Sequence, residues 1–263
     1  MSQPTINWKK MKAQLEGKVA VLFGASVGIG AATGRILADS GAKVVLASRN
    51  TKALESLVED IRASGGHAVA VRTDVQNFNE VKAAVDVAVE NFGGLDIAVN
   101  NAGINVAPAP VDEVEEDVFD RVMTTNLKGI WYGMKAAIPE IRKRGGGAIV
   151  NTSSVGGLVA APGLSPYCAS KHAVIGLSRA AALDCAPMGI RVNVVAPGAV
   201  DTDIFNNWMD AHPEQRSHMI SLHPLGRIGE PPEVGSAIAW LCSDAASFIT
   251  GAVLAIDGGY MIA

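Results

Sequence analysis

The sequence predicts one α/β domain with a doubly wound parallel sheet of seven strands and helices on both faces. Short β-branched runs alternate with longer segments whose apolar residues recur at helical spacing, as in strand-helix-strand units. The length of 263 residues fits one large domain of this class. Hydrophobic residues make up 49% of the chain and charged residues 18%, which excludes a disordered or low-complexity protein.

Seven apolar runs predict the strands, and the segments between them predict the helices. The strands are expected at 19–23, 43–48, 68–72, 97–100, 148–152, 191–196 and 253–256. Helices are expected to begin near Gly28, Lys52, Asn79, Glu116, Pro166 and Pro232. We expect an N-terminal extension over 1–16 and a single domain over 17–263. Right-handed crossovers then place a ligand outside the carboxyl ends of the strands.

Charge and cysteine content exclude several classes of partner. The 22 basic and 26 acidic residues give a net charge of −4, so nucleic acid is not expected as a partner. Cys168, Cys185 and Cys242 form no C-x-x-C pair and are expected to be free, buried residues in a reducing compartment. The N-terminal residues lack the apolar core of a signal peptide, and the uncharged run over 145–170 contains many Gly residues. We therefore expect a cytoplasmic protein with no membrane partner.

A glycine-rich turn follows the first predicted strand. It runs from Gly24 through Gly28 to Gly30 and opens directly into a helix. Glycines allow the backbone to turn tightly and to approach a diphosphate group, which the N–H groups at the helix N-terminus then bind. Taken alone, the turn is interpreted equally well as a purely structural loop. Its position after the first strand favours the phosphate site.

A tyrosine and a lysine four residues apart are candidates for catalysis. Tyr167 and Lys171 share one face of a predicted helix, and the nearby ammonium group is expected to lower the phenol pKa from about 10. Tyr167 would then exchange a proton near neutral pH. Ser153 and Ser154 follow the fifth predicted strand, and either hydroxyl offers a neutral donor to a substrate oxygen. A surface tyrosine beside a solvated lysine is the alternative for the pair alone.

Taken together, these motifs resemble the short-chain dehydrogenase/reductase family along nearly the whole chain from Gly17. The matching features are the G-x-x-x-G-x-G turn, Asn100-Asn101-Ala102-Gly103, Asn126, Ser154, Tyr167-x-x-x-Lys171, Pro197-Gly198 with Thr202, and Asp257-Gly258-Gly259. The resemblance implies a Rossmann fold and hydride transfer between a nicotinamide cofactor and a ketone or secondary alcohol. Ketoreductases such as 3-oxoacyl-acyl carrier protein reductases share these motifs with bacterial alcohol and sugar dehydrogenases, so the substrate stays open.

The resemblance also implies catalytic and substrate-binding roles. Tyr167 would be the general acid in reduction, and Ser154, thirteen residues earlier, would orient the substrate oxygen. Lys171 would lower the tyrosine pKa and contact the nicotinamide ribose. Asn126 would support a water chain that returns protons to the tyrosine, although a buried amide with satisfied hydrogen bonds is a competing interpretation.

A larger set of residues is implied to bind the dinucleotide, together with Tyr167 and Lys171. It lies in the glycine turn and at the ends of the later strands: Gly24, Ser26, Gly28, Ile29, Gly30, Ser48, Arg49, Asn50, Asp74, Val75, Asn101, Ala102, Gly103, Pro197, Gly198, Val200 and Thr202. Asp74 would contact the adenine amino group, but an aspartate in such a position is more often a turn cap.

The end of the second strand predicts a preference for NADP(H). Relatives that use NAD usually carry an acidic residue where this chain has Ser48, and a carboxylate there binds the ribose hydroxyls. Arg49 follows, and its guanidinium is suited to the 2′-phosphate of NADP. If Arg49 instead points into solvent, NAD(H) would serve. An NAD-dependent secondary alcohol or sugar dehydrogenase and a non-catalytic dinucleotide sensor are therefore the competing functions.

Three further features of the sequence lead to predictions: Phe23, the histidines and the segment over 203–225. Phe23 stands where the family commonly has a threonine that ties the first strand to the Asn-Asn-Ala-Gly segment, which puts that tie in doubt. The histidines show no metal-ligand spacing, so no metal is expected, and His212, His218 and His223 are interpreted as solvated loop residues. The amphipathic segment over 203–225 is either a lid over an apolar substrate pocket or ordinary helix packing.

The resemblance also implies an assembly. A homotetramer or homodimer would form through the predicted helices over 116–144 and 166–187 and the last strand over 253–256. The remaining expected partner is a small carbonyl or alcohol substrate.

Overall fold

The computed structural model of the protein describes residues 15–263 except 203–204, 207–208, 210–213 and 215. The strands are β1 (Val19–Phe23), β2 (Lys43–Ser48), β3 (His67–Arg72), β4 (Ile97–Asn100), β5 (Gly147–Thr152), β6 (Ile190–Pro197) and β7 (Val253–Ile256). They form one parallel sheet in the order β3-β2-β1-β4-β5-β6-β7. The helices are α1 (Gly28–Asp39), α2 (Thr51–Ala63), α3 (Phe78–Phe92), α4 (Glu116–Met123), α5 (Gly129–Lys143), α6 (Ser165–Cys185), α7 (Arg216–Ser221) and α8 (Pro231–Cys242).

The predicted fold, with seven strands and helices on both faces, is confirmed. Each predicted strand is present, and its ends agree with the prediction to within one residue. The long helix predicted over 116–144 is not a regular helix, because Thr124–Lys128 forms a π-helical turn between α4 and α5. Such turns often mark functional sites. Residues 1–14 of the predicted N-terminal extension lie outside the described residues, whereas Leu15 is buried and donates its N–H to the Ser40 carbonyl oxygen at 3.0 Å.

The central strands are buried because helices cover both faces of the sheet. In β1, Ala20 and Leu22 pack against the core formed with α1, α2 and α8. Val19, Val21 and Phe23 pack against the core formed with α3, α5 and α6. Side chains alternate between the two faces of a strand, so a strand covered on both sides is apolar at every position. Polar residues are therefore concentrated at the strand ends, where the site lies.

The three cysteines are free and buried, as predicted. Burial raises the pKa of the Cys185 thiol and raises that of Cys242 to about 12, which makes both thiols unreactive. Within the described ranges, no helix is both long enough and apolar enough to cross a membrane.

Candidate active site

A cavity of about 980 Å³ opens at the carboxyl ends of the strands. This is where the topology of a doubly wound sheet places a ligand. The predicted site residues that line it are Gly24, Ser26, Gly28, Ile29, Ser48, Arg49, Asp74, Val75, Asn101, Ala102, Gly103, Ser154, Tyr167, Lys171, Pro197, Gly198, Val200 and Thr202. The other three, Gly30, Asn50 and Asn126, are not among the lining residues.

The glycine turn is shaped by close approach of backbone to backbone. Gly24 has a φ of 80°, and a Cβ atom there would lie 2.6 Å from the Cα atom of Ala102. A Cβ atom on Gly30 would overlap the carbonyl oxygen of Gly24. Gly30 thus allows α1 to pack against the turn and contributes to the cavity through the shape of that turn.

The N-terminus of α1 is suited to binding an anion. No side chain caps the helix, its N-cap is Val27, and its first turn contains no acidic residue. The first N–H groups of a helix have no partner within the helix, and the helix dipole favours negative charge beside them. Ser26, Gly28 and Ile29 line the cavity at this end. These features fit the diphosphate of a dinucleotide.

The residues at the end of β2 divide into two that line the cavity and one that caps a helix. Ser48 and Arg49 are lining residues, and Arg49 is exposed. Its guanidinium forms no ion pair with any residue in the described ranges. Asn50 does not reach the cavity because its Oδ1 atom accepts a hydrogen bond from the Ala53 N–H at 3.2 Å and caps α2.

Asp74 combines the two interpretations that the sequence left open. Its Oδ1 atom accepts a hydrogen bond from the Gln76 N–H at 3.0 Å, which is a turn cap. Its own N–H donates to the Glu80 carboxylate at 2.9 Å. Asp74 also lines the cavity, so the cap holds the carboxylate where a ligand would meet it.

Tyr167 lies in the first turn of α6 and is partly exposed to the cavity. Burial of the phenol raises its pKa, an interaction with the Ser154 hydroxyl partly opposes this rise, and Cys168 adds to it. The prediction that Lys171 holds the pKa of Tyr167 below its usual value is therefore wrong. The lysine Nζ atom lies 5.7 Å from the centre of the ring, and the cost of burying a phenolate dominates. Tyr167 is thus a protonated phenol at neutral pH.

Lys171 is buried one turn further along α6, with 4% of its surface exposed. Burial lowers its pKa to about 8, so most of the population carries the ammonium at pH 7. The ammonium donates a hydrogen bond to the Thr152 carbonyl oxygen at 3.0 Å. A Cβ atom on Gly103 would lie 3.3 Å from Nζ, so the glycine leaves room beside the ammonium.

The structure distinguishes the two serine candidates. Ser153 is buried, and its hydroxyl donates to the Lys171 carbonyl oxygen at 2.8 Å. The Ser154 Oγ atom accepts a hydrogen bond from the Gly156 N–H at 3.1 Å. The Ser154 hydroxyl is 3.5 Å from the Pro197 carbonyl oxygen, a long contact, and it also interacts with the Tyr167 phenol. Ser154 is therefore the serine whose hydroxyl is better placed to donate a hydrogen bond to a ligand in the cavity.

Asn126 lies in the π-helical turn and holds protein segments together. Its Oδ1 atom accepts the Ile104 N–H at 2.8 Å, and its Nδ2 atom donates to the Ile104 carbonyl oxygen at 2.9 Å and to the Ser170 hydroxyl at 3.2 Å. This is the buried, satisfied amide that the sequence left as the competing interpretation. The side chain fixes the segment after β4 against α6.

The other lining residues include a largely apolar group, which we call the substrate end of the cavity. Its apolar lining consists of Ile104, Val155, Val159, Ala160, Ala161, Pro162, Leu164, Cys168, Phe205, Met219 and Leu222. Asn105, His218 and Tyr260 are polar residues of the same wall. The predicted substrate segment over 203–225 therefore does reach the cavity. Ile204, Trp208 and His212 of that segment lie outside the described residues.

Several of these lining residues were missed by sequence reasoning. The loop over 155–164 and Tyr260 in the last turn belong to irregular segments that show no periodic pattern. Cys168 was interpreted only as a buried residue, although its place next to Tyr167 in a helix was a usable signal. No comparable local signal exists for Tyr260.

The interpretation of His223 as a solvated residue is wrong. His223 is only 3% exposed, and its Nδ1 atom lies 2.8 Å from the Met219 carbonyl oxygen. Its Nε2 atom accepts a hydrogen bond from the Ala199 N–H at 3.2 Å. The histidine is buried because the segment after α7 folds back onto the loop that follows β6. Within the described ranges, no group of three potential metal ligands is present.

The tie between β1 and the segment after β4 exists although position 23 has no hydroxyl. The Asn101 N–H donates to the Phe23 carbonyl oxygen at 3.0 Å, and the Asn101 Nδ2 atom donates to the Gly24 carbonyl oxygen at 3.1 Å. The side chain of Phe23 is buried in the core between the sheet and α3, α5 and α6.

Known proteins resemble this chain over nearly its whole length. Residues 24–261 match the family profile described as enoyl-(acyl carrier protein) reductase. The chain is 41% identical over 252 residues to cyclohexanol dehydrogenase of Acinetobacter sp. (strain SE19), an alignment that covers 96% of this chain and 98% of that protein. It is 44% identical over 249 residues to 2,5-dichloro-2,5-cyclohexadiene-1,4-diol dehydrogenase of Sphingobium indicum, which covers 94% and 98%.

The chain belongs to the short-chain dehydrogenase/reductase family. The crystal structure of gox2181 superimposes with a TM-score of 0.92 at 32% identity, over 98% of this chain and 100% of the other. A short-chain dehydrogenase/reductase is an oxidoreductase that acts on CH–OH groups and uses a nicotinamide dinucleotide. The uncapped N-terminus of α1 and the glycine turn of this member fit the diphosphate of such a cofactor.

Proposed function

We propose that the protein transfers hydride between NADP(H) and a cyclic secondary alcohol or the corresponding ketone. The observation that carries this proposal is that Ser154 and Tyr167 line the same cavity as the glycine turn and Arg49 and as apolar side chains such as Leu164 and Leu222. An apolar end suits a hydrocarbon ring, and a hydroxyl or carbonyl on that ring would meet the serine and the tyrosine. Two relatives, the cyclohexanol dehydrogenase and the 2,5-dichloro-2,5-cyclohexadiene-1,4-diol dehydrogenase, are named for cyclic alcohols.

Reduction adds a hydride to the carbonyl carbon and a proton to the carbonyl oxygen, and oxidation removes both from the alcohol. The dinucleotide, when bound, supplies or accepts the hydride. In reduction, the Tyr167 phenol donates its proton to the carbonyl oxygen, and burial keeps that proton in place beforehand. In oxidation, the phenolate accepts the hydroxyl proton. Ser154 donates a hydrogen bond to the same oxygen and stabilises the negative charge that develops there.

Lys171 provides the positive charge of the site. Its ammonium, held by the Thr152 carbonyl oxygen, stabilises the tyrosine phenolate at the moment the proton has left. The charge does not hold the phenol ionised in advance, because burial of Tyr167 outweighs it. Asn126 keeps the segment after β4 against α6, and we propose that it supports in this way the route by which protons return to Tyr167.

The proposed preference for NADP(H) rests on Ser48 and Arg49. Both line the cavity, neither brings a negative charge, and the Arg49 guanidinium forms no ion pair within the described residues. A carboxylate at the end of β2 would repel a 2′-phosphate, whereas a free guanidinium binds one with two hydrogen bonds.

The proposal is tested by assaying the purified protein with cyclohexanol, a cyclohexane-1,4-diol and acyclic 2-hexanol, each with NADP⁺ and with NAD⁺. We expect turnover of the cyclic alcohols, with higher kcat/KM for NADP⁺. Dinucleotide binding without turnover of any alcohol or ketone would favour the sensor function. A preference for NAD⁺ would contradict the role of Arg49, and faster turnover of 2-hexanol would contradict the ring specificity.

We also propose that the protein is a homotetramer or homodimer. Large apolar side chains are exposed on the elements implied to form the contacts: Phe119 on α4, Trp131 on α5 and Leu183 on α6. Burial of such side chains between subunits would stabilise an assembly. A monomeric mass by light scattering at micromolar concentration would contradict this proposal.

We propose a cytoplasmic location. All three cysteines are free and buried, which is the usual state of thiols in a reducing compartment. Cell fractionation tests the location independently of the enzymatic function.

A further inference from the structure

Thr152, the last residue of β5, uses its two oxygen atoms for two different parts of the site. It is 6% exposed. Its carbonyl oxygen accepts the hydrogen bond from the Lys171 ammonium at 3.0 Å. Its hydroxyl donates to the Asn101 Oδ1 atom at 3.2 Å. One residue therefore contacts both the lysine and the segment that follows β4.

Asn101 extends this connection to the glycine turn. Its Nδ2 atom donates to the Gly24 carbonyl oxygen at 3.1 Å. Gly30 packs on the same carbonyl oxygen, and a Cβ atom there would also lie 2.9 Å from the Asn101 Nδ2 atom. The orientation of the Asn101 amide thus affects both the turn and the start of α1, where the diphosphate would bind.

The position of these residues at the strand ends explains why side chains make the link. In the ladder, Asn100 of β4 is paired with Asn151 of β5. Asn101 and Thr152 lie one step beyond that last pair. The side-chain hydrogen bond between them continues the connection across the two strand ends. Phe23 has no hydroxyl, so no such contact reaches Asn101 from the side chain that ends β1.

We infer that Thr152 is a positioning residue that holds the Asn101 amide, and through it the glycine turn, in register with Lys171. In the sheet, β4 lies between β1 and β5, so the Thr152 hydroxyl at the end of β5 holds the Asn101 amide from the side opposite to β1. The inference rests on the proposed function only in requiring that the cavity bind a dinucleotide, and it is independent of the alcohol that reacts.

The experiment compares dinucleotide binding by Thr152→Val and Thr152→Ser, measured from the fluorescence of bound NADPH and NADH without any alcohol. Valine keeps the shape of threonine and removes the hydroxyl, whereas serine keeps the hydroxyl. We expect the dissociation constant to rise about tenfold in Thr152→Val, as expected for loss of one hydrogen bond, and to stay within about twofold of wild type in Thr152→Ser. The KM for the dinucleotide should rise in the same way, while kcat changes by less than about threefold because the carbonyl contact with Lys171 is a main-chain contact.

Thr33→Val is the matched control. Thr33 is fully buried, and its hydroxyl donates to the Ile29 carbonyl oxygen at 2.7 Å within α1. This variant loses a buried hydroxyl of the same kind, so it should lower the Tm by a similar amount and leave the dissociation constant within about twofold of wild type. If both valine variants weaken binding equally, Thr152 has only a structural role and the inference is wrong.

A double-variant cycle tests whether Thr152 acts through Asn101. Thr152→Val combined with Asn101→Ala should bind no more weakly than Asn101→Ala alone, because the acceptor of the hydroxyl is already gone. Independent effects that multiply would overturn the inference. If Thr152→Val does not fold, Thr152→Ala takes its place in the cycle, and unchanged binding in that variant overturns the inference as well.

Discussion

The two ends of the cavity are built from different parts of the polypeptide. The dinucleotide end, by which we mean the residues proposed to bind the dinucleotide, lies at the ends of β1, β2, β3, β4 and β6 and at the start of α1, and side-chain hydrogen bonds such as that from Asn101 to the Gly24 carbonyl oxygen hold this backbone in place. The substrate end consists of mostly apolar side chains from the loop over 155–164 and from the described part of 203–225, together with Tyr260 in the last turn of the chain. The first end is fixed by sheet geometry, whereas the second can vary with each side chain.

This difference predicts which kinetic constant a substitution at each end should change. A change at the dinucleotide end alters cofactor binding, and a change at the substrate end alters the KM for the alcohol. Tyr167 and Lys171 are proposed to act on the reaction itself, so they should affect the chemistry or the stability more than either binding step. The following four expectations test that division.

The largest effect is expected on kcat when Tyr167 is replaced. Tyr167→Phe removes the proton donor and keeps the ring, so kcat should fall between about a hundredfold and ten-thousandfold. The dissociation constants of dinucleotide and alcohol should stay within about threefold of wild type. Steady-state kinetics and dinucleotide titration measure the two quantities, and Tyr132→Phe on α5 is the control. Near-normal turnover by the folded variant would remove Tyr167 from the mechanism.

The buried Lys171 should make stability depend on pH. Its pKa is lowered from 10.5 to about 8, so between these values the unfolded chain binds more protons than the folded protein. The cost of burying the charge, about 3 kcal/mol, is present below pH 8 and decreases as the pH rises from 8 toward 10.5. Relative to Lys171→Met, wild type should therefore become more stable between pH 7 and pH 9.5.

Urea unfolding of both proteins at the two pH values measures this difference. Lys143→Met is the control, because that side chain is 69% exposed and its removal should shift stability equally at both pH values. A difference between wild type and Lys171→Met that does not change with pH would show that the lysine is charged in the folded protein throughout this range.

Substitutions of Arg49 and Ser48 test which residues at the dinucleotide end set the preference between NADPH and NADH. Arg49→Ala should weaken NADPH binding relative to NADH about ten- to a hundredfold, since one charge-assisted contact contributes about 1.5–3 kcal/mol. Adding Ser48→Asp should reverse the preference, because the carboxylate repels the 2′-phosphate and accepts hydrogen bonds from the ribose hydroxyls. The ratio of kcat/KM values for the two cofactors, at constant ionic strength, is the measurement. Lys52→Ala, an exposed charge nearby that does not line the cavity, should leave the ratio unchanged.

The smallest effect is expected at the substrate end. Leu222 is half-buried and lines the cavity, and Leu222→Ala should raise the KM for cyclohexanol about fivefold by removing about 1 kcal/mol of apolar contact. The KM for the dinucleotide should not change. Leu225→Ala is the control, since Leu225 is 70% exposed and is not among the lining residues. Equal effects of the two variants on the cyclohexanol KM would contradict the assignment of this wall.

Most of the fold, and the presence of Ser154, Tyr167 and Lys171 in one cavity wall, could be predicted because their signals are local. Alternation of apolar residues predicts each strand, and the spacing of Tyr167 and Lys171 predicts a shared helix face whatever the rest of the chain does. The π-helical turn around Asn126 was not predicted, because nothing in the helical periodicity of 116–144 interrupts it.

The predictions that failed depend on burial and on contacts between distant residues. The pKa of Tyr167 follows from how much protein covers the phenol, which the distance to Lys171 along the helix does not reveal. His223 was interpreted from its polar neighbours in sequence, although its partners Met219 and Ala199 come together only when α7 meets the loop after β6. Thr152 carried no signal, because its role arises from alignment of two strand ends.

The sequence alone was sufficient to predict the parallel sheet, the edge at which the cavity opens and the candidate residues Ser154, Tyr167 and Lys171 that line it. These features follow from hydrophobic periodicity and from short motifs, in which the interacting groups are close along the chain. The tertiary structure was needed to establish which groups are buried, which of the two serine hydroxyls is already bound to a backbone carbonyl oxygen, and which side chains form the substrate end. Those properties depend on segments that are far apart in sequence, and solvent exclusion and hydrogen-bond partners exist only after these segments have packed together.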